Sequence, residues 1–475
     1  MPNRAFCADL QAWKPKCKSI WMWNYNTNFR GYDLPFPNFR VIAKNIQFFQ
    51  DNGVRGVFMQ AAGNAISAEM SDARNYVMSR CLWRPSEESW PLLEEFCRLH
   101  YAESAEPILA YERFLHRNAD LREVHPGCFP VEGEVGLDAG VARHINTYFD
   151  EALRFAKSDT VRDRVEKASI PALKSLITLT PMAYADGLYK IDTSAIGDDT
   201  VDRYIALCKK YGLDHTGEEI PMKDYLQELD MLRRGAAAAL LENTVWRVVV
   251  LPELNGRIVE MTYRPTGRNL VDAQTRGFGR RRSHEIWFNN RPPAAGAPQS
   301  FACETGQRSL ILTRTLESGG SIRHVISLKS DSGDTIAFQS EITASAPLTI
   351  ECLVHPEYDT VTSSEDPNII AVYAKTPVWT HVNKDWRWDQ SGNPDQTPPP
   401  AKGGAVAYYN HAEHFGVVET LNSDTFSKQP IFWSPSRRQL NLQLSTPLTT
   451  LAPGKKLTFG YEIAYLAKSP VERAK

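Results

Sequence analysis

Ile20-Trp21-Met22-Trp23-Asn24-Tyr25 and Val54-Arg55-Gly56-Val57-Phe58-Met59-Gln60 are two short, apolar, strand-like runs, and what lies between and after them decides the architecture. Between them, Phe39, Ile42, Ile46 and Phe49 fall at helical spacing within Asn38 to Asn52, and Gly53 breaks that helix. After them, Ser71 and Asp72 open a second helical segment that closes at Trp83, before Pro85. Strand, helix, strand, helix at this spacing is the repeat of a parallel α/β protein. A (β/α)₈ barrel needs eight strands and roughly 250 residues, so two units read as the last part of such a barrel. On this reading the chain is N-terminally incomplete, and a missing barrel portion or a second copy of the chain is its expected partner. Ala5 to Lys16 then belongs to the helix before the first strand.

Downstream the pattern changes twice. Residues 86–235 carry amphipathic stripes at a period of 3.6: Trp90, Leu93, Phe96 and Cys97; Ile108, Tyr111, Phe114 and Leu115; Val141, Ile145, Tyr148, Phe149 and Leu153. Val161 to Leu179 and Val201 to Tyr211 add two more helices. From Asn243 the period becomes two. At least ten β-rich runs follow, among them Val245 to Leu251, Ile258 to Tyr263, Arg323 to Leu328, Thr335 to Ile342 and Leu457 to Leu466. They predict a large antiparallel sandwich. The expected fold class is therefore multidomain, α/β then α then β: the last βα units of a (β/α)₈ barrel at 1–85, a helical domain at 86–235 and an antiparallel β-supersandwich at 236–475. Gln390 to Lys402, rich in proline, reads as an extended loop.

The net charge of −2, from 54 basic and 56 acidic residues, gives no long-range attraction to nucleic acid or to an anionic membrane surface. The basic run Arg276 to Arg282 is local and reads as a solvated loop. Eight cysteines are scattered without a C-x-x-C pair or a histidine at zinc spacing, so neither a disulfide framework nor a metal site is expected. Met1 to Ile20 lacks the apolar core of a signal peptide, and Gly235 to Leu251, the most apolar stretch, is interrupted by Glu242 and Arg247. As it stands the chain reads as cytoplasmic, with no membrane span and no cofactor. A parent protein that continues upstream could still be exported.

In the first strand Trp21, Trp23 and Tyr25 share one face, because side chains alternate. Asn24 to Asn28 lies at the strand's C-terminal end, where βα barrels place their active sites. Aromatic rings beside amides suit a sugar, whose C–H face stacks while its hydroxyls hydrogen-bond. The alternative is that the tryptophans fill core and the asparagines cap a loop. Glu69 is the one carboxylate close after the second strand. It is either a weak catalytic candidate or a helix-start residue favoured by the dipole.

Trp23-Asn24-Tyr25, Leu34-Pro35-Phe36-Pro37-Asn38, Asn45-Ile46, Gly53-Val54-Arg55-Gly56-Val57-Phe58 and Leu82-Trp83-Arg84-Pro85 together resemble a large bacterial family, domain of unknown function 4838. Its members resemble glycoside hydrolases that pair a (β/α)₈ barrel with a helical extension, notably β-hexosaminidases and α-glucuronidases. The resemblance spans roughly residues 1–180. It implies that Trp23, Asn24, Tyr25 and Gln60 face a sugar pocket in full-length relatives, and that those relatives hydrolyse glycosidic bonds in a polysaccharide or glycan; Asn28, in the polar run after the strand, is a further candidate sugar-binding residue. Two departures weaken catalysis here: many relatives carry acids where Asn24 and Met59 stand. Glycoside hydrolysis ordinarily uses two carboxyl groups flanking the bond, and the acid pair of the hexosaminidase-like enzymes lies on an earlier strand.

In the β region, Leu251-Pro252-Glu253-Leu254-Asn255-Gly256-Arg257-Ile258 and Thr266-Gly267-Arg268-Asn269-Leu270 resemble the opening of the galactose-mutarotase-like supersandwich. Val354-His355-Pro356-Glu357-Tyr358 is a weaker echo of its sugar-facing segment. His355 and Glu357, two apart on one strand, share a face and are candidate sugar-binding groups; a structural role for the histidine is the alternative. Trp379, His381, Trp386 and Trp388 form an aromatic cluster that reads either as a ligand-binding loop or as a loop packed across the sandwich. Carbohydrate is thus the expected ligand. The competing readings are a non-catalytic binding or scaffold module and an aldose-epimerase-like enzyme using His355 and Glu357 as acid and base.

Overall fold

The computed structural model describes residues 4–62, 66, 68–218, 220–271, 284–288, 299–385, 402–422 and 424–471. The basic run Arg276 to Arg282, Trp386, Trp388 and residues 390–401 lie outside the described residues. The chain divides into two compact units. Among the described residues, the first comprises those up to Pro181 and Asp192–Leu226; the second comprises Met182–Ile191 and those from Gln227 onward.

In the first unit α1 (Arg4–Trp13) precedes β1 (Ile20–Tyr25), α2 (Phe39–Asp51), β2 (Val54–Gln60) and α3 (Ser71–Trp83). The two strands pair in parallel, as the βα spacing predicts, with Trp23 opposite Phe58 and Tyr25 opposite Gln60. α2 ends where Asn52 turns its side-chain amide back onto the Phe48 carbonyl and Gly53 takes a φ of +79°, a conformation that favours glycine. The helix buries Phe39, Ile42, Ala43, Ile46 and Phe49, each contributing on the order of 1.5–3 kcal/mol for the larger side chains.

Four further helices extend the same core: α4 (Ser89–Tyr101), α5 (Ala105–Leu121), α6 (Ala139–Phe155) and α7 (Asp159–Thr178). The expected stripes Leu93/Cys97, Ile108/Tyr111/Leu115, Val141/Ile145/Phe149 and Val161/Val165 all point inward. Asp138 and Ser158 cap α6 and α7 by accepting from the amides of Val141 and Val161. One continuous apolar cluster runs from Phe36 through Cys81 to Ala172, so packing does not break at residue 85. The helix after α7, α8 (Asp199–Lys210), is tied in by a buried knot. Lys174 of α7 pairs with Asp33, which also accepts from Tyr204 at 2.6 Å and Thr216 at 2.7 Å. A buried cation is tolerated there because its partner and that partner's remaining lone pairs are all satisfied.

The second unit is a sandwich, as the period-two pattern predicts. Its larger layer is a nine-stranded antiparallel sheet in the order Ala302–Thr305, Ser309–Leu316, Gly320–Leu328, Thr335–Ala344, Lys456–Leu466, Phe415–Leu421, Ala405–Asn410, Ile370–Lys375 and Trp379–His381. Alternate residues of these strands, such as Leu312, Ile326, Ile342, Phe459 and Val417, share one core with the shorter strands Trp246–Leu251, Arg257–Tyr263, Cys352–Pro356 and Gln439–Leu442. The segment expected to be helical also contributes a hairpin, Met182–Ala185 with Leu188–Ile191. Its Asp186-Gly187 turn has φ of 52° and 79°, the primed geometry that joins strands tightly. Strands of four residues are too short for a periodicity to stand out.

The sandwich core also holds ionisable groups. Glu419, fully buried, accepts a hydrogen bond from the Tyr358 hydroxyl at 2.5 Å, and its second oxygen has no partner among the described residues. Burial pushes its carboxyl from 4.5 up to about 8. Below about pH 4.5 the group is neutral in folded and unfolded chains alike. Between there and about pH 8 only the folded state keeps the proton, so stability is lost as pH rises through that window. Urea unfolding from pH 5 to pH 8 is expected to show the parent losing about 1 kcal/mol per pH unit relative to Glu419→Gln. A difference between the two proteins that stays constant with pH would contradict this assignment.

Candidate functional site

β1 presents Trp21, Trp23 and Tyr25 to solvent at 76%, 61% and 50% exposure, and β2 adds Phe58 beside them at 55%. Strand geometry spaces the three β1 rings roughly 6.7 Å apart. Trp23 meets Phe58 edge to face at 4.9 Å, and its indole N–H donates to Gln60 Oε1 at 2.5 Å. Trp21 lies over Gly56, where an added Cβ would sit 2.3 Å from the indole ring. The glycine is thus what lets the ring lie flat across the pair. Tyr25 packs edge-on against Phe29 at 5.5 Å. The result is an exposed aromatic strip with one amide, Gln60, held at its edge.

The other expected residues of this region do not join it. Asn24 points to the opposite face, where its amide reaches Asn26 Oδ1 at 3.3 Å and the Met59 sulfur at 3.7 Å. Asn28 is buried: its Nδ2 donates to the Pro130 carbonyl and its Oδ1 accepts from the amides of Arg30 and Gly31. It pins a loop rather than facing a sugar, the ordinary use of an asparagine whose side chain bonds the backbone two and three residues on.

Glu69 is also buried. It accepts from Arg74, which lies only 2% exposed beside it, and from the Tyr111 hydroxyl at 3.0 Å. Glu112 of α5 stands near, its Oε1 without a partner among the described residues. Burial, and next the Glu69 charge, push Glu112 well above the usual carboxylate range, so Glu112 is the member that keeps a proton. His116 behind them is lowered to about 4, chiefly by burial, and is neutral. Burial raises the Glu69 carboxyl too, and the Arg74 charge opposes that rise; the weak catalytic candidate is thus held in the interior as the partner of Arg74 and Tyr111.

Two adjoining clefts open at the C-terminal end of β2 and the start of α3, where βα proteins hold ligands. One lies between Thr27, Ala61, Ser71, Arg74 and Asn75; the other lies between Asp72, His100, Arg164 and Lys167. Lys167 pairs with Asp72 at 3.0 Å across the second. No distinct sequence signal marks this cleft, since charges on amphipathic helices read as solvated faces.

In the sandwich, Cys352 and Val354 enter the core, so alternation turns His355 and Glu357 to the outer side of their sheet. There His355 stands opposite Glu285 in register, and its Nε2 lies 3.3 Å from Asn441 Nδ2. Arg257, also buried, donates to Glu285 Oε1 at 2.5 Å and to Glu228 Oε1 at 2.8 Å. Burial alone would lower the guanidinium's pKa, but the two carboxylates outweigh it and hold the charge. Arg257 lies inside the Asn255-Gly256-Arg257 motif; its partners Glu228 and Glu285 come from distant segments and were missed. Trp379 belongs elsewhere. It packs with Ala371, Tyr373, Ala407 and Tyr409 on the nine-stranded sheet, on the face turned away from the core. The candidate pair His355 and Glu357 and the candidate Trp379 thus sit on different sheets.

Among the described residues no group of three or more histidine, cysteine, aspartate or glutamate side chains could hold a metal ion, and no helix is long and apolar enough to cross a membrane.

Residues 2–113 match the family model described as Domain of unknown function (DUF4838), a span that includes β1, β2 and α3. No curated protein matches the chain. Among solved structures, a galactose mutarotase-like protein from Lactobacillus casei is similar at 10% identity and a TM-score of 0.37, covering 48% of this chain and 100% of its own. A galactose mutarotase related enzyme from Lactobacillus acidophilus is similar at 12% identity and a TM-score of 0.36, covering 50% and 99%. A galactose mutarotase-like protein from Clostridium acetobutylicum has 10% identity and a TM-score of 0.34, covering 48% and 94%.

Replacing Glu69 by Gln leaves the Arg74 guanidinium charged and without its buried counter-ion. We expect Glu69→Gln to lower the stability of the first unit by about 3–5 kcal/mol, measured by urea unfolding. A Glu69→Gln protein as stable as its parent would return Glu69 to the catalytic candidates.

Proposed function

We propose that the chain is a carbohydrate-binding protein of glycoside-hydrolase-like type, and that the β1–β2 aromatic strip is its sugar platform. The observation that carries this reading is the exposure of Trp21, Trp23 and Tyr25 on one strand face, with the Gln60 amide fixed by Trp23 at the edge. Large rings left in water at regular spacing cost free energy unless something covers them. Sugar rings fit such a strip: their C–H faces stack on indole and phenol, while the amide and phenol hydroxyl serve their hydroxyl groups. The parallel β1–α2–β2–α3 repeat is read as a portion of a (β/α) barrel, and a polysaccharide or glycan as the substrate class of proteins that complete it.

Binding, rather than hydrolysis, is the reading for this chain itself. Cleaving a glycosidic bond takes two carboxyl groups placed on either side of it, and Glu69 is already committed to Arg74 and Tyr111. A second reading, an epimerase-like site, is favoured by one observation: Arg257, Glu285, His355 and Asn441 converge on one side of a sheet. Proton transfer at an anomeric centre needs an acid and a base on opposite sides of the sugar, and His355 with Glu357 would have to supply both.

Titration with a panel of mono- and oligosaccharides, followed by tryptophan fluorescence, tests the platform. Oligosaccharides are expected to perturb the emission, and Trp21→Ala and Trp23→Ala each to weaken binding by about tenfold, with unfolding midpoints unchanged because both rings are exposed. Binding that survives both substitutions, or no response to any sugar, would defeat the proposal.

A further inference from the structure

Strand parity divides the polar groups of the sandwich between the outer cluster around Arg257 and an inner cleft that the carbohydrate reading leaves unused. The cleft is lined by the strand His284–Phe288, the turn at Asn255, and the inner face of the nine-stranded sheet. Its walls are mainly aliphatic and aromatic, with Ile258, Leu312 and Phe338 among them.

Arg314 is the one lysine or arginine among the described residues that line it. The guanidinium lies 4.7 Å from the Phe301 ring centre and 5.6 Å from that of Phe288, so two rings hold it in place. It is half-buried, and its Nε is shielded from water and has no hydrogen-bond partner among the described residues. Glu317 acts on it only through its charge; Glu285, which also lines the cleft, gives its Oε1 to Arg257, while its Oε2 has no partner among the described residues. Burial lowers the guanidinium's pKa, but an arginine stays charged across the physiological range.

A hydrogen-bonding pair stands on the neighbouring strands: His324 Nδ1 lies 2.8 Å from Ser340 Oγ. Burial lowers the histidine to about 3, so its ring is neutral and its other nitrogen can donate. The second histidine of the cleft, His284, is already spent on the Tyr461 hydroxyl at 2.7 Å. Partial burial of a cation to which no carboxylate is hydrogen-bonded among the described residues is unfavourable by itself. An entering carboxylate would supply charge-assisted, two-pronged hydrogen bonds to it, and the apolar walls would cover the rest of such a molecule.

We propose that this inner cleft binds a small monocarboxylate with an apolar, ring-sized body, its carboxylate on Arg314 and its ring among Phe288, Phe301 and Phe338, with the His324–Ser340 pair as a further hydrogen-bonding partner. The site is separate from the aromatic strip and does not rest on the sugar reading.

Calorimetric titration of the full chain with benzoate, and with benzyl alcohol as its uncharged counterpart, tests this. Benzoate is expected to bind at least about tenfold more tightly than the alcohol, and Arg314→Gln to weaken benzoate by about tenfold or more while leaving the alcohol unchanged. Arg314→Lys, which keeps the charge but loses the two-pronged geometry, should fall between. Circular dichroism checks that each variant folds; should Arg314→Gln fail to, Ser340→Ala replaces it, with a loss of a few-fold expected. Equal binding of acid and alcohol, no heat from benzoate up to ~10 mM, or benzoate binding untouched by these substitutions would overturn the proposal.

Discussion

The alternation of side chains along a strand is the constraint from which most of this molecule follows. In the parallel pair it sends Trp21, Trp23 and Tyr25 to one face and Met22 and Asn24 to the other. In the sandwich it sends His284, Val354 and Tyr461 inward and Glu285 and His355 outward. A slip of one residue in any of these strands would exchange core for surface. The burial of Leu312, Ile326, Ile342 and Phe459 in one cluster holds that register, and with it the separation of two polar groups that are neighbours in sequence.

Buried charges are the second organising element, and each is matched by chain that is remote or in another element. Asp33 meets Lys174 across 141 positions, and Arg257 meets Glu228 and Glu285 across 29 and 28. Arg74 is close in sequence to Glu69, yet Tyr111 of another helix also bonds Glu69, and the Glu69 charge adds to burial in raising Glu112 of that helix. Such pairs add little net stability over apolar packing, but removing one partner is strongly unfavourable. They therefore fix which segments lie together. Arg314, half-buried against two aromatic rings, has no carboxylate hydrogen-bonded to it among the described residues.

Period and punctuation determined the broad architecture from the sequence. The spacing of Phe39, Ile42, Ile46 and Phe49, the break at Gly53 and the alternation after Asn243 gave the βα repeat, the helices and the sandwich, because these patterns depend only on local geometry. The aromatic strip was legible for the same reason: Trp21, Trp23 and Tyr25 lie on one short strand, and only their exposure awaited the fold. Tertiary structure alone decided the rest. Whether Asn28 faced a ligand or a carbonyl depended on Pro130, and whether Glu69 was free depended on Arg74 and Tyr111. The company of His355 depended on strands 70 and 86 residues away in sequence. Burial and charge pairing are sums over such distant neighbours, and no local pattern carries them.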